Sequence, residues 1–497
     1  MPRSHVSLLP TLPTPSTFGS SVLAGGLPGT SSSLELFALA LPYAFSPVTS
    51  QESLRVSSAV AIVYASSSNP GSYYSILRHK PFAFFWFARG FTSIAFQIQG
   101  IAVGWQVYAL TGSPFYLGLV GLAQFLPMFL LTLAVGHVAD RYDRRLVVRL
   151  CQIVEGLAAA VLALGSFSGW QSKESILAVV FFAGAARAFE GPTLQALVPG
   201  LVPAPIIPRA MAWSASAHQT ATILGPALGG LLYTAGPTMA YATAGILFLA
   251  ASSLIALIHI ERTPPDREPV SLQSVFAGVV FIRNHPVILG AISLDLFAVL
   301  LGGATALLPV YARDILVTGP WGLGLLRSAP AVGALGMSIF LARHMIEHRV
   351  GWIMFGAVAI FGAATVAFAL STSFVLSFGT LVALGAADVI SVVIRSSLVQ
   401  IKTPDEMRGR VSAVNSMFIG TSNQLGEFES GLTAALFGVV PAVLIGGVGT
   451  LIVVLIWMRL FPQLLRIDSL KPEGADRISS SRLGEDGKNE YRKTSES

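Results

Sequence analysis

Residues 136–145 read G-H-V-A-D-R-Y-D-R-R, a short polar segment with three arginines and two aspartates. It lies between two long apolar runs, 115–136 and 146–167. A helix of about 20 apolar residues crosses roughly 30 Å of hydrocarbon. This alternation of long apolar runs with short charged segments therefore predicts a helical membrane protein.

The composition supports a lipid environment. Hydrophobic residues make up 53% of the 497 residues and charged residues 11%, whereas a water-soluble domain has roughly 25% charged residues. The net charge of +6 comes from basic residues scattered between apolar runs, which disfavours a nucleic-acid surface. Cys151 is the only cysteine, so an intrachain disulfide and a cysteine metal cluster are excluded.

Similar apolar runs recur along the chain and predict an all-α membrane protein with about twelve transmembrane helices. A polar stretch at residues 262–286 separates six runs from six. The predicted spans are 84–110, 115–136, 146–167, 176–198, 210–234, 238–260, 288–312, 322–342, 351–370, 374–396, 411–436 and 439–460.

The same pattern divides the chain into five segments. We expect a disordered extension at 1–75, an N-terminal six-helix bundle at 76–260, a cytoplasmic central loop at 261–286, a C-terminal six-helix bundle at 287–462, and a disordered cytoplasmic tail at 463–497. Residues 1–75 are rich in Ser, Pro and Gly, and we favour an overextended gene start over a transit peptide because Arg is sparse there.

Lysine and arginine alternate between the predicted loops in a way that orients the protein. Loops on the side of residues 136–145 carry most of the basic residues, whereas the opposite loops carry little beyond Lys173 and Arg313. Because cytoplasmic loops of membrane proteins are enriched in Lys and Arg, we expect both termini to be cytoplasmic. The expected location is the plasma (inner) membrane.

The two predicted halves repeat at a spacing of about two hundred residues. Residues 107–109 (V-Y-A) return as 310–312, and Gly121-Leu122 returns as Gly324-Leu325. Pseudo-symmetric halves around a midplane cavity are typical of one large class of secondary transporters.

Residues 136–145 resemble the cytoplasmic signature of the major facilitator superfamily, G-x-x-x-D-R-x-G-R-R, and depart from it at Asp143. The resemblance implies the major facilitator fold and a gate built by five residues: Gly136, Asp140, Arg141, Arg144 and Arg145. Asp140 could pair with Arg144 or with a neighbouring helix. Positive-inside anchoring is the alternative for the arginines, and we favour the gate because anchoring leaves Asp140 unexplained.

Arg187 and Glu190 lie one turn apart near the centre of the fourth predicted helix. Their segment is similar to the superfamily motif R-x-x-Q-G, with Glu190 in place of Gln, which implies a proton-linked or substrate-facing role for Arg187. An intramembrane charge is costly unless it is paired. The alternative is therefore an Arg187–Glu190 pair that only joins helices.

The fifth predicted helix contains the sequence Gly225-Pro226-Ala227-Leu228-Gly229-Gly230. It resembles the G-P-x-x-G-G core of a motif associated with antiporters of the superfamily. Small residues also allow close helix packing in many membrane proteins. A purely structural role for Gly225, Pro226, Gly229 and Gly230 is at least as well supported by this segment alone.

Other ionisable and amide side chains fall inside predicted spans and are candidates for a proton or substrate pathway. The eleventh span is the most polar, so we expect it to face protein or a wet cavity. Substrate binding, proton carriage and helix pairing remain open for each of the candidates, which are Glu155, Asp295, Asp388, Arg395, Asn423, Gln424, Glu427 and Glu429.

Longer stretches, including 295–312, 403–411 and 422–431, make residues 73–466 resemble the enterobactin-exporter branch, also called transmembrane secretion effectors. The resemblance implies proton-driven export of a siderophore-like or drug-like small molecule. An importer or facilitator, or a non-transporting receptor of the same fold, is the alternative. Phosphate-loop and hydrolase motifs are missing from the sequence, so we expect no enzyme activity, no cofactor and no metal. The expected partners are a small-molecule substrate, protons and the lipid bilayer, with a monomer as the working state.

Overall fold

The computed structural model describes residues 76–259 and 272–470, with the backbone alone for 132–134, 136–137, 139–140 and 272–275. The expectations for residues 1–75, 260–271 and 471–497 lie outside the described residues. Every element in the described part of the chain is helical. This confirms the predicted all-α class.

Six long helices form the N-terminal half. Proline occupies the first turn of several of them, where its missing N–H leaves no helical hydrogen bond unmade. Gly112 and Gly169 follow α1 and α3 in the left-handed conformation that stops a helix. The helices are α1 (Lys80–Thr111), α2 (Pro114–Arg141), α3 (Arg144–Ser168), α4 (Lys173–Leu197), α5 (Ile207–Thr234) and α6 (Pro237–Ala256).

Six long helices and one shorter helix form the C-terminal half. The shorter helix, α7, lies within the stretch predicted as the central loop, 261–286. The helices are α7 (Leu272–Asn284), α8 (Pro286–Leu301), α9 (Gly319–Arg343), α10 (Val350–Leu370), α11 (Phe374–Lys402), α12 (Asp405–Phe437) and α13 (Val439–Leu460).

The helix predicted at 288–312 is interrupted rather than continuous. After α8 ends, a 3-10 turn (Ala304–Leu307), one α turn (Leu308–Val310) and a π turn (Tyr311–Ile315) complete the span. A Cβ added to Gly303 would collide with the backbone of Gly426 in α12. The break therefore occurs where α12 crosses closely.

Both halves pack their helices in the same order. In the N-terminal half α1 contacts α5 and α6, α2 contacts α4, and α3 contacts α4 and α6. In the C-terminal half α8 contacts α12 and α13, α9 contacts α11, and α10 contacts α11 and α13. First–fifth, first–sixth, second–fourth, third–fourth and third–sixth helix pairs thus recur, which confirms two pseudo-symmetric six-helix halves.

Nine helices of the described residues are long and apolar enough to cross a membrane. The other long helices are α1, α5 and α12, with 32, 28 and 33 residues. All three carry buried polar side chains and lie in the centre of the bundle, where α5 meets α9 and α12 meets α2. Their lower apolarity follows from facing protein rather than lipid.

The first residues of the predicted disordered tail are folded. A turn at Pro462–Leu465 returns the chain to the start of α10, where Gly351 N donates to Ile467 O (3.0 Å) and Arg349 N donates to Asp468 Oδ1 (3.0 Å). Arg349 is the N-cap of α10 and has a positive φ of 55°. The prediction was therefore wrong for 463–470, because these residues satisfy the free N–H groups of a helix N-terminus.

Candidate functional site

A buried polar cluster joins α1, α3 and α4 inside the N-terminal half. Gln152 of α3 donates from Nε2 to Thr92 Oγ1 of α1 (3.0 Å) and to Glu190 Oε1 of α4 (3.1 Å). Glu190 is fully buried, and its other oxygen accepts from Arg187 Nη1 at 3.2 Å. The helical spacing of Arg187 and Glu190 thus gives the ion pair that the sequence offered as one alternative.

Further side chains extend this cluster towards α5. The Arg187 guanidinium lies over the Phe96 ring of α1, with Cζ 3.9 Å from the ring centroid. Two further side chains of α1 contact α5. Arg89 Nε donates to Ser214 O (3.1 Å), and Ser93 Oγ lies 3.1 Å from His218 Nδ1. Sequence reasoning missed Arg89, although a charge inside an apolar run is the signal that identified Arg187.

Glu155 lies on α3, one turn beyond Gln152, and its side chain is 2% exposed. Its Oε2 atom has no hydrogen-bond partner. The carboxylate lines a cavity of about 30 Å³, which is roughly room for one water molecule. Gln99 of α1, Gln124 of α2 and the aromatic residues Phe96 and Phe248 line the same cavity.

The C-terminal half contains a closed ion pair, meaning one acid matched to one base, and Arg395 Nε beside it is buried without a hydrogen-bond partner. Arg395 of α11 contacts Asp295 of α8 directly, and both side chains are buried. The pair joins the first and fourth helices of its half. In the N-terminal half the first and fourth helices are joined through Gln152 of the third helix, which bonds to both. Asp388 is half-buried on α11, two turns before Arg395.

A second ion pair of this half lies beside the contact between the halves. Arg327 of α9 donates from Nη2 to Glu427 Oε1 of α12 (3.2 Å) and from Nη1 to Thr305 O (2.9 Å). A Cβ added to Gly121 of α2 would lie 2.9 Å from Glu427 Cβ. Arg327 was missed in the sequence although it interrupts a predicted span.

Two of the three remaining α12 candidates bond within their own helix. Glu429 Oε1 accepts from Thr433 Oγ1 (2.7 Å), and Asn423 Nδ2 donates to Ile419 O (3.0 Å) with an exposed side chain. Gln424 Oε1 is buried without a hydrogen-bond partner. The structure thus does not bring Asn423, Gln424 and Glu429 into the N-terminal cluster.

The turn between α2 and α3 explains the departure at Asp143 from the superfamily signature. Asp143 is the N-cap of α3, and its Oδ1 accepts from Arg145 N at 2.9 Å. The Arg145 guanidinium, 2.7 Å from Asp143 Oδ2, holds the pKa of that carboxyl below its usual value, with added hydrogen bonds from backbone N–H groups. Aspartate therefore fits here because it caps a helix.

The arginines of this segment tie helix ends together. Arg144 Nη1 donates to Ala196 O at the end of α4 (2.9 Å), and Arg145 Nη1 donates to Ile258 O just after α6 (3.0 Å). Gly136 and Asp140 lie in the last turns of α2, and the structure describes only their backbone. The gate role of these residues and of Arg141 stays a prediction.

The glycine motif of α5 lies at two close helix contacts. A Cβ added to Gly225 would lie 2.6 Å from Gln97 Cβ, and one added to Gly229 would lie 2.9 Å from Ile98 Cα, both on α1. A Cβ on Gly230 would lie 2.5 Å from Pro320 O of α9, and Pro226 O is equally close to the Cβ position of Gly324. The motif therefore packs α5 against α1 and against the other half.

Contacts between the halves gather at the end of the bundle that carries the α1–α2 turn. Tyr108 of α1 donates to Asp314 Oδ2, and Arg313 Nη1 donates to Tyr108 O (3.2 Å). Gly118 of α2 and Gly431 of α12 meet there with their backbones in contact. In the described parts of the chain, no group of three or more His, Cys, Asp or Glu residues could hold a metal ion.

Comparisons with known proteins give a family and a fold. The family model described as transmembrane secretion effector matches residues 71–490. The enterobactin exporter EntS of Citrobacter koseri is 26% identical over 406 residues, covering 79% of this chain and 95% of that protein. EntS of Escherichia coli O1:K1 is 24% identical over 407 residues, covering 80% and 95%.

Solved structures of transporters share the fold at low sequence identity. A bacterial homologue of the lysosomal transporter Spinster, inward-facing and unoccupied, superposes with a TM-score of 0.62 and 14% identity, covering 80% of this chain and 98% of that one. A D-xylose–proton symporter gives a TM-score of 0.57 and 14% identity, covering 79% and 98%. At these identities the likeness shows the fold alone.

Proposed function

The chain belongs to the transmembrane secretion effector family of major facilitator transporters, and on this premise we propose that it exports a small amphipathic molecule in exchange for protons. The observation that carries the proposal is the buried cluster of Gln152, Arg187 and Glu190 with the unpartnered Glu155 beside it. Ionisable residues held inside a membrane protein are typical of proton relays and substrate paths.

The direction and the substrate class rest on the relatives. The two relatives are enterobactin exporters, and each is matched over 95% of its length. We infer a siderophore-like or drug-like cargo for this chain. A working monomer is part of the proposal, because one chain supplies both halves.

We place the chain in the plasma (inner) membrane with both termini in the cytoplasm. The basic residues of the α2–α3 segment support this orientation by the positive-inside bias. The contacts of Tyr108 with Arg313 and Asp314 would then close the outer face. Alternating access would require these contacts to open while the cytoplasmic ends of the halves approach.

Transport by the purified protein in liposomes tests the proposal. Vesicles containing the protein receive iron-free enterobactin and an imposed pH gradient, and empty vesicles serve as the control. We expect flux that rises with the gradient. Flux that ignores the gradient would point to a facilitator, and binding without flux would point to a receptor, so either result would overturn proton-coupled export.

A further inference from the structure

Glu155 differs from the other buried acids of the described residues in having an oxygen without a partner and an adjoining cavity. Its side chain is 2% exposed, and Oε2 makes no hydrogen bond. Glu190 bonds to Gln152 and Arg187, and Asp295 contacts Arg395. An ionised carboxylate without a partner is unfavourable in such a place, whereas a protonated carboxyl is neutral and can donate to a water or an amide.

The cavity beside Glu155 can hold a water molecule. It has room for one water and is lined by Gln99 and Gln124, whose amides can hold that water. Five helices meet around it, namely α1, α2, α3, α4 and α6. A motion that separates these helices would therefore change access to Glu155.

One guanidinium stands near two carboxylates at this site. Arg187 bonds to Glu190 and stacks on Phe96, whose ring also lines the Glu155 cavity. The carboxylate of Glu190 repels a negative charge on Glu155, and the guanidinium of Arg187 attracts it. Other titratable groups of the surrounding helices are Arg89 on α1, Cys151 on α3, His218 on α5 and Tyr241 on α6.

We propose that Glu155 is the residue that binds the transported proton, and that its deprotonation draws Arg187 away from Glu190. The inference rests on the proposed function. A proton taken up from water bonds to a carboxylate oxygen of Glu155 and is later released to water on the other side of the membrane. The anion left behind then competes with Glu190 for Arg187, which exchanges an ion pair within α4 for a contact between α4 and α3.

Glu155→Gln keeps the shape of a protonated glutamate and removes the titration. In liposomes with iron-free enterobactin, we expect this variant to lose stimulation by a pH gradient while it retains exchange of labelled for unlabelled substrate without a gradient. Glu155→Asp restores a titratable carboxyl and should recover stimulation in part. Glu347→Gln removes an exposed carboxylate from the α9–α10 loop and should behave like the wild type.

The outcomes separate this inference from the proposed function. If the wild type and Glu155→Gln are stimulated equally, proton coupling stands and Glu155 is not its carrier. If the wild type itself is not stimulated, proton-coupled export fails. A second measurement needs no substrate: infrared difference spectra between two pH values should show a protonated-carboxyl C=O band in the wild type that Glu155→Gln lacks, and persistence of that band would overturn the assignment.

Discussion

The polar interiors of the two halves differ although their helices pack in the same order. The C-terminal half joins its first and fourth helices by a closed pair, Asp295 with Arg395. The N-terminal half joins the equivalent helices through Gln152, which bonds to Thr92 and Glu190, and leaves Glu155 with an unmet oxygen. A carboxylate matched to one arginine holds one arrangement, whereas Glu155, whose Oε2 has no hydrogen-bond partner, can change charge and rearrange. The C-terminal half also carries Asp388, which is half-buried and lies outside its ion pair.

The largest expected effect comes from breaking the closed pair on one side. Arg395→Met leaves Asp295 buried and unpaired, which costs about 3–5 kcal/mol of stability. Replacing both partners, as in Asp295→Leu with Arg395→Met, removes the stranded charge and should restore stability. Thermal unfolding in detergent checks both variants, and a double variant as unstable as the single one would contradict a structural role for the pair.

The same design in the N-terminal half should separate stability from transport. Arg187→Ala leaves Glu190 buried without its guanidinium, so we expect loss of both stability and flux. Adding Glu190→Gln should recover stability but not pH-driven flux, because the charged pair beside Glu155 is then absent. Full pH-driven flux of this double variant in liposomes would contradict the prediction, because the N-terminal pair would then be as purely structural as the C-terminal one.

The contact between the halves should show a smaller effect. Gly324→Ala places a Cβ 2.5 Å from Pro226 O, and the resulting strain should cost about 1–3 kcal/mol. Gly336→Ala is the matched control on the same helix, because a Cβ there meets no atom within 4 Å. Melting temperatures of the two variants test this, and equal values would mean that the glycine contact is not close.

The smallest effect is expected at the start of α3. Asp143→Ala should lower stability by about 1 kcal/mol through loss of the cap, and Asp143→Gly by a few tenths. Arg145 holds the pKa of Asp143 below its ordinary 3.8, so the ionised side chain stabilises the fold above that pH and loses its effect as pH falls through the lowered value. Melting temperature against pH checks this, and a wild-type advantage that grows on acidification would contradict it.

The third helix of each half, α3 or α10, has its N-terminus capped by an aspartate. Asp143 caps α3 from its own N-cap position, whereas α10 receives its capping aspartate, Asp468, from the tail. The same chemistry thus comes from a local residue in one half and a distant one in the other. A local cap is predictable from a sequence, and a distant one is not.

Much of the fold was predictable because lipid imposes a strong periodic signal. Long apolar runs and a repeat such as Gly121–Leu122 with Gly324–Leu325 predicted the helices and the two halves. The break after α8 was missed, because Gly302 and Gly303 are tolerated in membrane helices and the cause is the approach of α12. Helix α7 was missed because the predicted central loop, 261–286, included the residues that form it.

The candidate site was predictable only where partners are local in sequence. The Arg187–Glu190 pair followed from helical spacing. The bond of Gln152 to Glu190 and the pairs Asp295–Arg395 and Arg327–Glu427 join residues 38, 100 and 100 positions apart. Only the packing of helices brings these side chains together.

The most direct test of proton-coupled export is to follow protons and substrate at once in the same liposomes. A trapped pH-sensitive dye reports proton movement while labelled iron-free enterobactin reports substrate movement. We predict that substrate moving in one direction drives protons in the other at a fixed ratio, and that Glu155→Gln abolishes the proton signal. Substrate flux with no proton movement in the wild type would contradict the account.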